Sequence, residues 1–132
     1  NPHNPFAEFE SETAQMFAAL TGNRYQEITR EGEAPVSVKI NNKDIPTDLL
    51  SGGTAASLGL AVRLAYAKRY LKDMEGFFVL DDPFTEMDED RRLLATQTLS
   101  DFAKDKQTFL FTCHPVHAKS FLHAHQITLS RT

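Results

Sequence analysis

Phe77-Phe78-Val79-Leu80-Asp81-Asp82-Pro83-Phe84-Thr85-Glu86-Met87-Asp88 runs a short apolar stretch straight into two adjacent carboxylates and a proline. A continuous apolar run of this length predicts a strand buried on both faces, as in a parallel sheet covered by helices. Periodicity alone also allows a buried helix, but Gly76 and Pro83 bracket the run and favour the strand. In open α/β sheets, ligands bind beyond the carboxyl ends of the strands, which is where Asp81 and Asp82 fall. Two carboxylates there suit a divalent cation and a general base. Successive strand residues point to opposite faces, so both can serve one site only if the backbone turns after Leu80. Pro83, which cannot donate to a ladder, favours such a turn. The plainer alternative is an ordinary strand exit, since Asp and Pro are common turn residues.

A chain of 132 residues is long enough for one compact domain with a real core. Its net charge of −4 offers no broad basic surface for holding nucleic acid on charge alone. The single cysteine, Cys113, excludes an internal disulfide framework and fits a reducing compartment. No run is long enough to span a membrane, and the N-terminus lacks a signal-peptide pattern, so no membrane partner is expected.

Outward from the central stretch, the first half of the chain predicts a lead, a helix and a small sheet. Asn1 to Pro5 reads as a disordered lead, with Asn4 as a cap and Pro5 at the first helical position. Phe6 to Leu20 is helical, with Phe9, Met16, Phe17 and Leu20 on one face, and Gly22 ends it. Tyr25 to Arg30 and Val36 to Ile40 pair as a hairpin through Glu31 to Pro35, and Asn41-Asn42 turns into a short third strand, Lys43 to Ile45. Ser51 caps a helix of about five turns, running to Lys72, whose first half leaves almost no polar face and should be buried nearly all round. Gly59 costs about 1 kcal/mol against alanine in mid-helix, which suggests a close backbone contact.

Beyond the central strand, Asp88 caps another helix with Ala95, Leu99 and Phe102 as its apolar face. Thr108 to Thr112 is a second apolar strand ending at Cys113-His114-Pro115, followed by a short helix, Val116 to Leu122, and a last strand, Ile127 to Leu129. Alternating helix and strand predicts an α/β fold with a parallel sheet flanked by helices, joined to the small N-terminal antiparallel sheet.

Ser51-Gly52-Gly53 opens the long helix. Free backbone N–H groups and the positive dipole end make such a terminus an anion site, and glycine lets phosphate approach the backbone. Read alone, it is an ordinary Ser-Gly helix start. Order adds information: this start precedes an apolar strand ending in two acids, then Asp88, then an apolar strand ending in His114.

That ordered set resembles the C-terminal half of an ABC-type ATPase head, a P-loop NTPase-type lobe, of the SMC-like DNA-repair and chromosome-maintenance class. Leu50-Ser51-Gly52-Gly53 matches the signature motif, Phe77 to Asp82 the Walker B strand, Thr85 to Asp88 the D-loop, and His114 the switch histidine. Thr21 to Tyr25 is similar to the point where a long coiled coil re-enters such heads, so residues 1–22 read as a lead and helix end and residues 23–132 as the lobe. The resemblance implies ATP and Mg²⁺ as cofactors. Asp81 would hold Mg²⁺, and Asp82 would orient or deprotonate the attacking water. His114 would contact the γ-phosphate, Ser51, Gly52 and Gly53 would bind the γ-phosphate held by a second head, and Asp88 would lie near the head–head interface. It also implies a head-to-head homodimer, DNA contacted through the full complex, a nuclease subunit, and a cytoplasmic, nucleoid-associated or nuclear location.

The sequence departs from the family pattern where Asp82 replaces the usual Glu, Thr54 the usual Gln or Glu, and Met87 the usual Leu. Moving a catalytic group by about 1 Å can cost of order a hundredfold, so the shorter Asp82 bears on rate. No Gly-x-x-x-x-Gly-Lys-Ser/Thr phosphate loop occurs, so the resemblance implies an N-terminal phosphate-loop lobe supplied elsewhere in the same protein. Cys113, His117, His123 and His125 match no structural zinc spacing. Arg91 and Arg92 read as a solvated face, with Asp88 and Glu89 as pairing partners. The main reading is ATP hydrolysis between two heads; the alternative is a non-catalytic ATP clamp or interaction module of the same fold.

Overall fold

The computed structural model describes residues 7–25, 27–31, 34–70, 77–104 and 106–129, with side chains described for all of these except 7–10, 30, 31, 34 and 70. The N-terminal lead through Phe6, the face position of Phe9, the middle of the Glu31–Pro35 hairpin, the helix end at Lys72 and the bracketing Gly76 lie outside them.

Helix α1 (Ala7–Leu20) buries Thr13, Phe17 and Leu20 against α2 (Gly52–Tyr70) and α3 (Glu89–Ala103). It stops as Gly22 predicts: Gly22 adopts φ +64°, and the Asn23 N–H returns to the Ala18 carbonyl at 2.7 Å. This is the left-handed glycine closure that satisfies late helical carbonyls.

Strands β1 (Glu27–Glu31), β2 (Ala34–Ile40) and β3 (Lys43–Pro46) form an antiparallel sheet in the order β1-β2-β3. Asn41 and Asn42 both have positive φ, 48° and 63°, the geometry of a tight hairpin turn that Asn tolerates. Val38 is fully buried, and Ile28 and Ile45, its partners in register, pack partly against the same core. A register shift falls between Thr29 and Arg30, opposite Pro35, which has no N–H for the ladder.

A 3₁₀ turn at Thr47–Leu49 leads into α2. Ser51 caps the helix as expected: its Oγ accepts from the Thr54 N–H at 3.2 Å. Leu58, Ala61, Leu64 and Ala65 are buried and form the centre of the core. Burial all round does not hold, however. Gly52, Ala55, Gly59 and Arg63 are exposed along one stripe, and nothing lies within 4 Å of a Cβ built on Gly59. The expected close contact at Gly59 is therefore absent. Glycine there carries only its entropic cost, and Gly59→Ala should raise stability by about 0.5–1 kcal/mol. A denaturant midpoint equal to or below the parent's would contradict this.

Strand β4 (Phe77–Asp81) pairs in parallel with β5 (Gln107–Phe111), with Leu80 opposite Leu110 and Asp81 opposite Phe111. Leu80 is fully buried, and Phe78 and Leu110 also pack on the core. The other face departs from the expectation of two buried faces. Phe77, Val79, Phe109 and Phe111 are 60, 38, 42 and 51% exposed, with the Phe77 and Phe109 rings edge to face at 5.5 Å. The strand type was legible from the apolar run, but its covering depends on what packs there, and the described residues supply no second layer. Arg63 supports β4 from α2, donating to the Val79 carbonyl at 3.0 Å with its guanidinium 5.6 Å above the Phe78 ring.

Asp88 caps α3, and α4 (Pro115–Lys119) is shorter than expected. The predicted last strand is absent: residues 127–129 adopt no strand, and Ile127 and Leu129 are largely exposed. Three residues cannot hold strand geometry without a neighbouring edge to bond.

Candidate functional site

The candidate residues gather in two clusters. The first lies beyond the carboxyl ends of β4 and β5. Asp82 continues the ladder by one bond, donating its N–H to the Phe111 carbonyl at 2.7 Å, and then turns to φ +42°. The turn thus falls one residue later than expected, at Asp82 and not directly after Leu80. Its effect is to separate the two acids. Asp81 stays in strand geometry on the open apolar face and is exposed, while Asp82 swings toward the segment that follows β5.

There the Asp82 carboxylate accepts the Cys113 N–H and the Cys113 thiol, each at 3.3 Å. The Thr112 hydroxyl leads in holding its carboxyl below the usual range; desolvation, next in size, opposes it, and the two Cys113 groups and His114 add to the lowering. The same carboxylate raises the Cys113 thiol above its usual range. Asp82 is therefore an ionised, tethered acceptor at neutral pH. Such a group orients a water well and abstracts a proton weakly, because an efficient general base titrates near the working pH.

His114 caps the start of α4, with Pro115 in the first helical position. His117 follows one turn later, so the two imidazoles share a side of the helix, with ring centroids 4.6 Å apart. His117 is 8% exposed and packs edge to face on Phe84, which in turn stacks on Phe121. Burial, helped by His114 and Arg92, pushes the His117 imidazolium below its ordinary range, while Asp82 opposes this. A ligand atom from each of Asp82, His114 and His117 lies within 4.8 Å of the others.

The second cluster lies at the start of α2. The Gly52 and Gly53 N–H groups stand in the first turn, where a helix has no acceptor of its own. A Cβ on Gly53 would lie 3.2 Å from the Glu86 carbonyl and 3.1 Å from Arg91 Cδ. The helix start is thus pressed onto the Thr85–Asp88 loop. Because one of those neighbours is backbone, Gly53→Ala should destabilise by about 1–2 kcal/mol; an unchanged denaturation midpoint would contradict the close approach. Asp88 accepts the Arg91 N–H at 2.8 Å and pairs with the Arg91 guanidinium, and the backbone bond leads the causes that hold its carboxyl below the usual range. Arg91 also reaches Thr54 Oγ1 at 3.0 Å, and Thr54 is buried. The Arg91–Asp88 pair is as expected, and the further reach to Thr54 makes Arg91 tie α2 to the loop and to α3. Thr54, unusual for its position, is the acceptor that makes this tie. A cavity of about 240 Å³ opens beside it, lined by Thr21, Arg24, Tyr25, Thr54, Asp88 and Arg91.

Ser51, Gly52, Gly53 and Asp88 are thus brought together, as are Asp82 and His114, and no hydrogen bond described joins the two sets. Sequence reasoning missed Thr112, and it named Cys113, His117 and Arg91 without giving them a place in either cluster. The position of Thr112 and Cys113 directly after a strand end, and the one-turn spacing of His117 from His114, were the signals available.

No protein-family profile matches the chain. It is 34% identical over 92 residues to the DNA double-strand break repair Rad50 ATPase of Pyrococcus abyssi, a match covering 67% of this chain and 10% of that protein. The SMC head domain from Thermotoga maritima superposes with a TM-score of 0.66 at 23% identity, covering 89% of this chain and 41% of that one. A structure from work on ATP-driven dimerization and DNA-stimulated activation of SMC ATPases gives a TM-score of 0.71 at 18% identity, covering 87% and 73%. The class is that of an SMC/Rad50-like ATPase head fragment with an α/β ATPase-lobe fold. The chain spans only 10% of the length of the curated Rad50 relative from P. abyssi. Among the described residues, no helix is long and apolar enough to cross a membrane.

Proposed function

We propose that the chain is the C-terminal lobe of an SMC-like ATPase head and contributes half of an ATP site shared between two heads. The observation that carries this reading is the convergence of Asp82 and His114 beyond two parallel strand ends, with Asp81 on the adjoining open face. In this reading Asp81 holds Mg²⁺ through its water shell, since Mg²⁺ dehydrates reluctantly. Asp82 orients the attacking water, and His114 contacts that water and the γ-phosphate. Ser51, Gly52 and Gly53 present their donors to the γ-phosphate of the opposite head, with Asp88 beside them at the interface.

The exposed apolar face of β4 and β5 supports an N-terminal phosphate-loop lobe as partner. Phe77, Val79, Phe109 and Phe111 form one contiguous apolar surface, and Asp81 marks its carboxyl end. A lobe seated there would cover the surface and bring a phosphate loop to the Mg²⁺ ligand. DNA and a nuclease subunit enter this proposal only through the family resemblance. The non-catalytic clamp draws on one observation, the tethered and fully ionised Asp82, which suits holding better than proton abstraction.

The test is reconstitution. The 132-residue chain alone should show no ATP turnover above background, and a cognate N-terminal lobe should restore it. Turnover by the chain alone that Asp82→Ala abolishes would overturn the shared-site reading. Nucleotide-dependent dimerisation of the reconstituted head without turnover would select the clamp.

A further inference from the structure

We propose that Asp82, His114 and His117 form a binding site for a borderline transition-metal dication of the Zn²⁺ class. One carboxylate and two imidazoles supply three ligand atoms within 4.8 Å of one another, a set distinct from the Mg²⁺ position at Asp81. The donor chemistry selects the ion. Imidazole suits Zn²⁺, Co²⁺ and Ni²⁺, whereas Mg²⁺ takes oxygen ligands. Three protein ligands and an open position held by water are also the pattern of accessible zinc sites.

An independent observation points to a ligand. His117 is more than nine-tenths buried, and its Nδ1 is sealed from solvent with no hydrogen-bond partner. A buried imidazole nitrogen left unpaired costs free energy that a bound ion would recover. Phe84 packs on the His117 ring and fixes it, so the buried ligand is the rigid member of the set. Asp82 and His114 are only half-buried and can move toward it. Tetrahedral coordination at zinc–nitrogen distances of about 2.0–2.1 Å places ligand atoms about 3.3 Å apart, so the set must close by at most about 1.5 Å. The Cys113 bonds take one lone pair on each Asp82 oxygen and leave the others free, so the tethered carboxylate can still accept an ion. The spacing that argued against a zinc site among Cys113, His117, His123 and His125 does not reach this set, because Asp82 comes from the other strand end and His123 and His125 take no part.

The site stands on the side chains of this chain and needs no nucleotide. Its consequence for hydrolysis rests on the function proposed above: an ion seated there withdraws Asp82 and His114 from the attacking water and halts turnover. The test is titration of the chelator-treated chain with Co²⁺, read by visible absorption, and then displacement by Zn²⁺. One equivalent should bind and persist in excess Mg²⁺. His114→Asn and His117→Asn should each weaken affinity by at least about tenfold, since loss of even an outer partner costs 10–100-fold. The double variant His123→Asn/His125→Asn should bind like the parent. Circular dichroism checks the fold, and the half-buried His114 provides a variant that does not disturb the core. An absent Co²⁺ spectrum in the parent, unchanged affinity in His114→Asn, or loss of binding in the His123/His125 variant would each overturn the site. Failure of ATP turnover after reconstitution would leave the metal titration standing, so the two proposals fail separately.

Discussion

Asp82→Asn in the reconstituted head should lower ATP turnover by about a hundredfold or more, the scale of losing the positioning of a reactant. ATP binding should survive, and the nucleotide-bound dimer should accumulate. The amide keeps the shape of the carboxylate and still accepts the Cys113 N–H through its oxygen. Asn also tolerates the left-handed backbone at φ +42° better than most residues, so the fold is little disturbed. What is lost is the negative charge that orients the water. Single-turnover rates and dimer fraction by size measurement provide the check; parental turnover in Asp82→Asn would remove Asp82 from the mechanism.

The Glu variant separates reach from geometry. If the short side chain limits the rate, Asp82→Glu equals or exceeds the parent. The structure favours the opposite outcome. The positive φ disfavours Glu relative to Asp, and the Cys113 N–H and thiol sit at the reach of the shorter carboxylate. Turnover should therefore fall by about tenfold to a hundredfold, the scale of an ångström's misplacement. Parity or a gain would show that reach decides.

The second large effect is expected at Ser51. Charge-assisted hydrogen bonds from helix-start donors to a γ-phosphate contribute about 1.5–3 kcal/mol each. Ser51→Arg places bulk at the mouth of that terminus and removes the cap on Thr54. Loss of two such bonds corresponds to at least about a hundredfold weaker ATP-dependent association of heads. Nucleotide affinity of a single complete head should stay near the parent's. Asp81→Ala should behave differently, weakening Mg²⁺-dependent nucleotide binding within one head. The two clusters support this separation, since Ser51 to Thr54 is tied to Asp88 and Arg91 and not to Asp82. Equal losses of single-head affinity in both variants would show that Ser51 acts in cis.

The sequence alone determined those features whose causes are local. Paired positive-φ asparagines made the Asn41-Asn42 turn, Gly22 closed α1, and Ser51 and Asp88 capped their helices, because each depends on a residue's own backbone preference or short hydrogen bond. The apolar run before Asp81 similarly specified β4, and the order of motifs gave the class. Tertiary structure decided what depends on neighbours distant in sequence. The parallel pairing of β4 with β5 brought Asp82 to Cys113 and His114, an alignment set by strand register and not by spacing. It also left the Phe77–Phe111 face uncovered and a stripe of α2 exposed, where composition predicted burial. An apolar residue reports that it favours burial, but only packing supplies the surface that buries it. The last strand failed for a related reason: Ile127 to Leu129 has β-favouring side chains but pairs with neither edge of the β4-β5 sheet. Spacing within the sequence set His117 aside as a ligand; only the fold, which buries its ring against Phe84 beside His114 and Asp82, supplies it with partners.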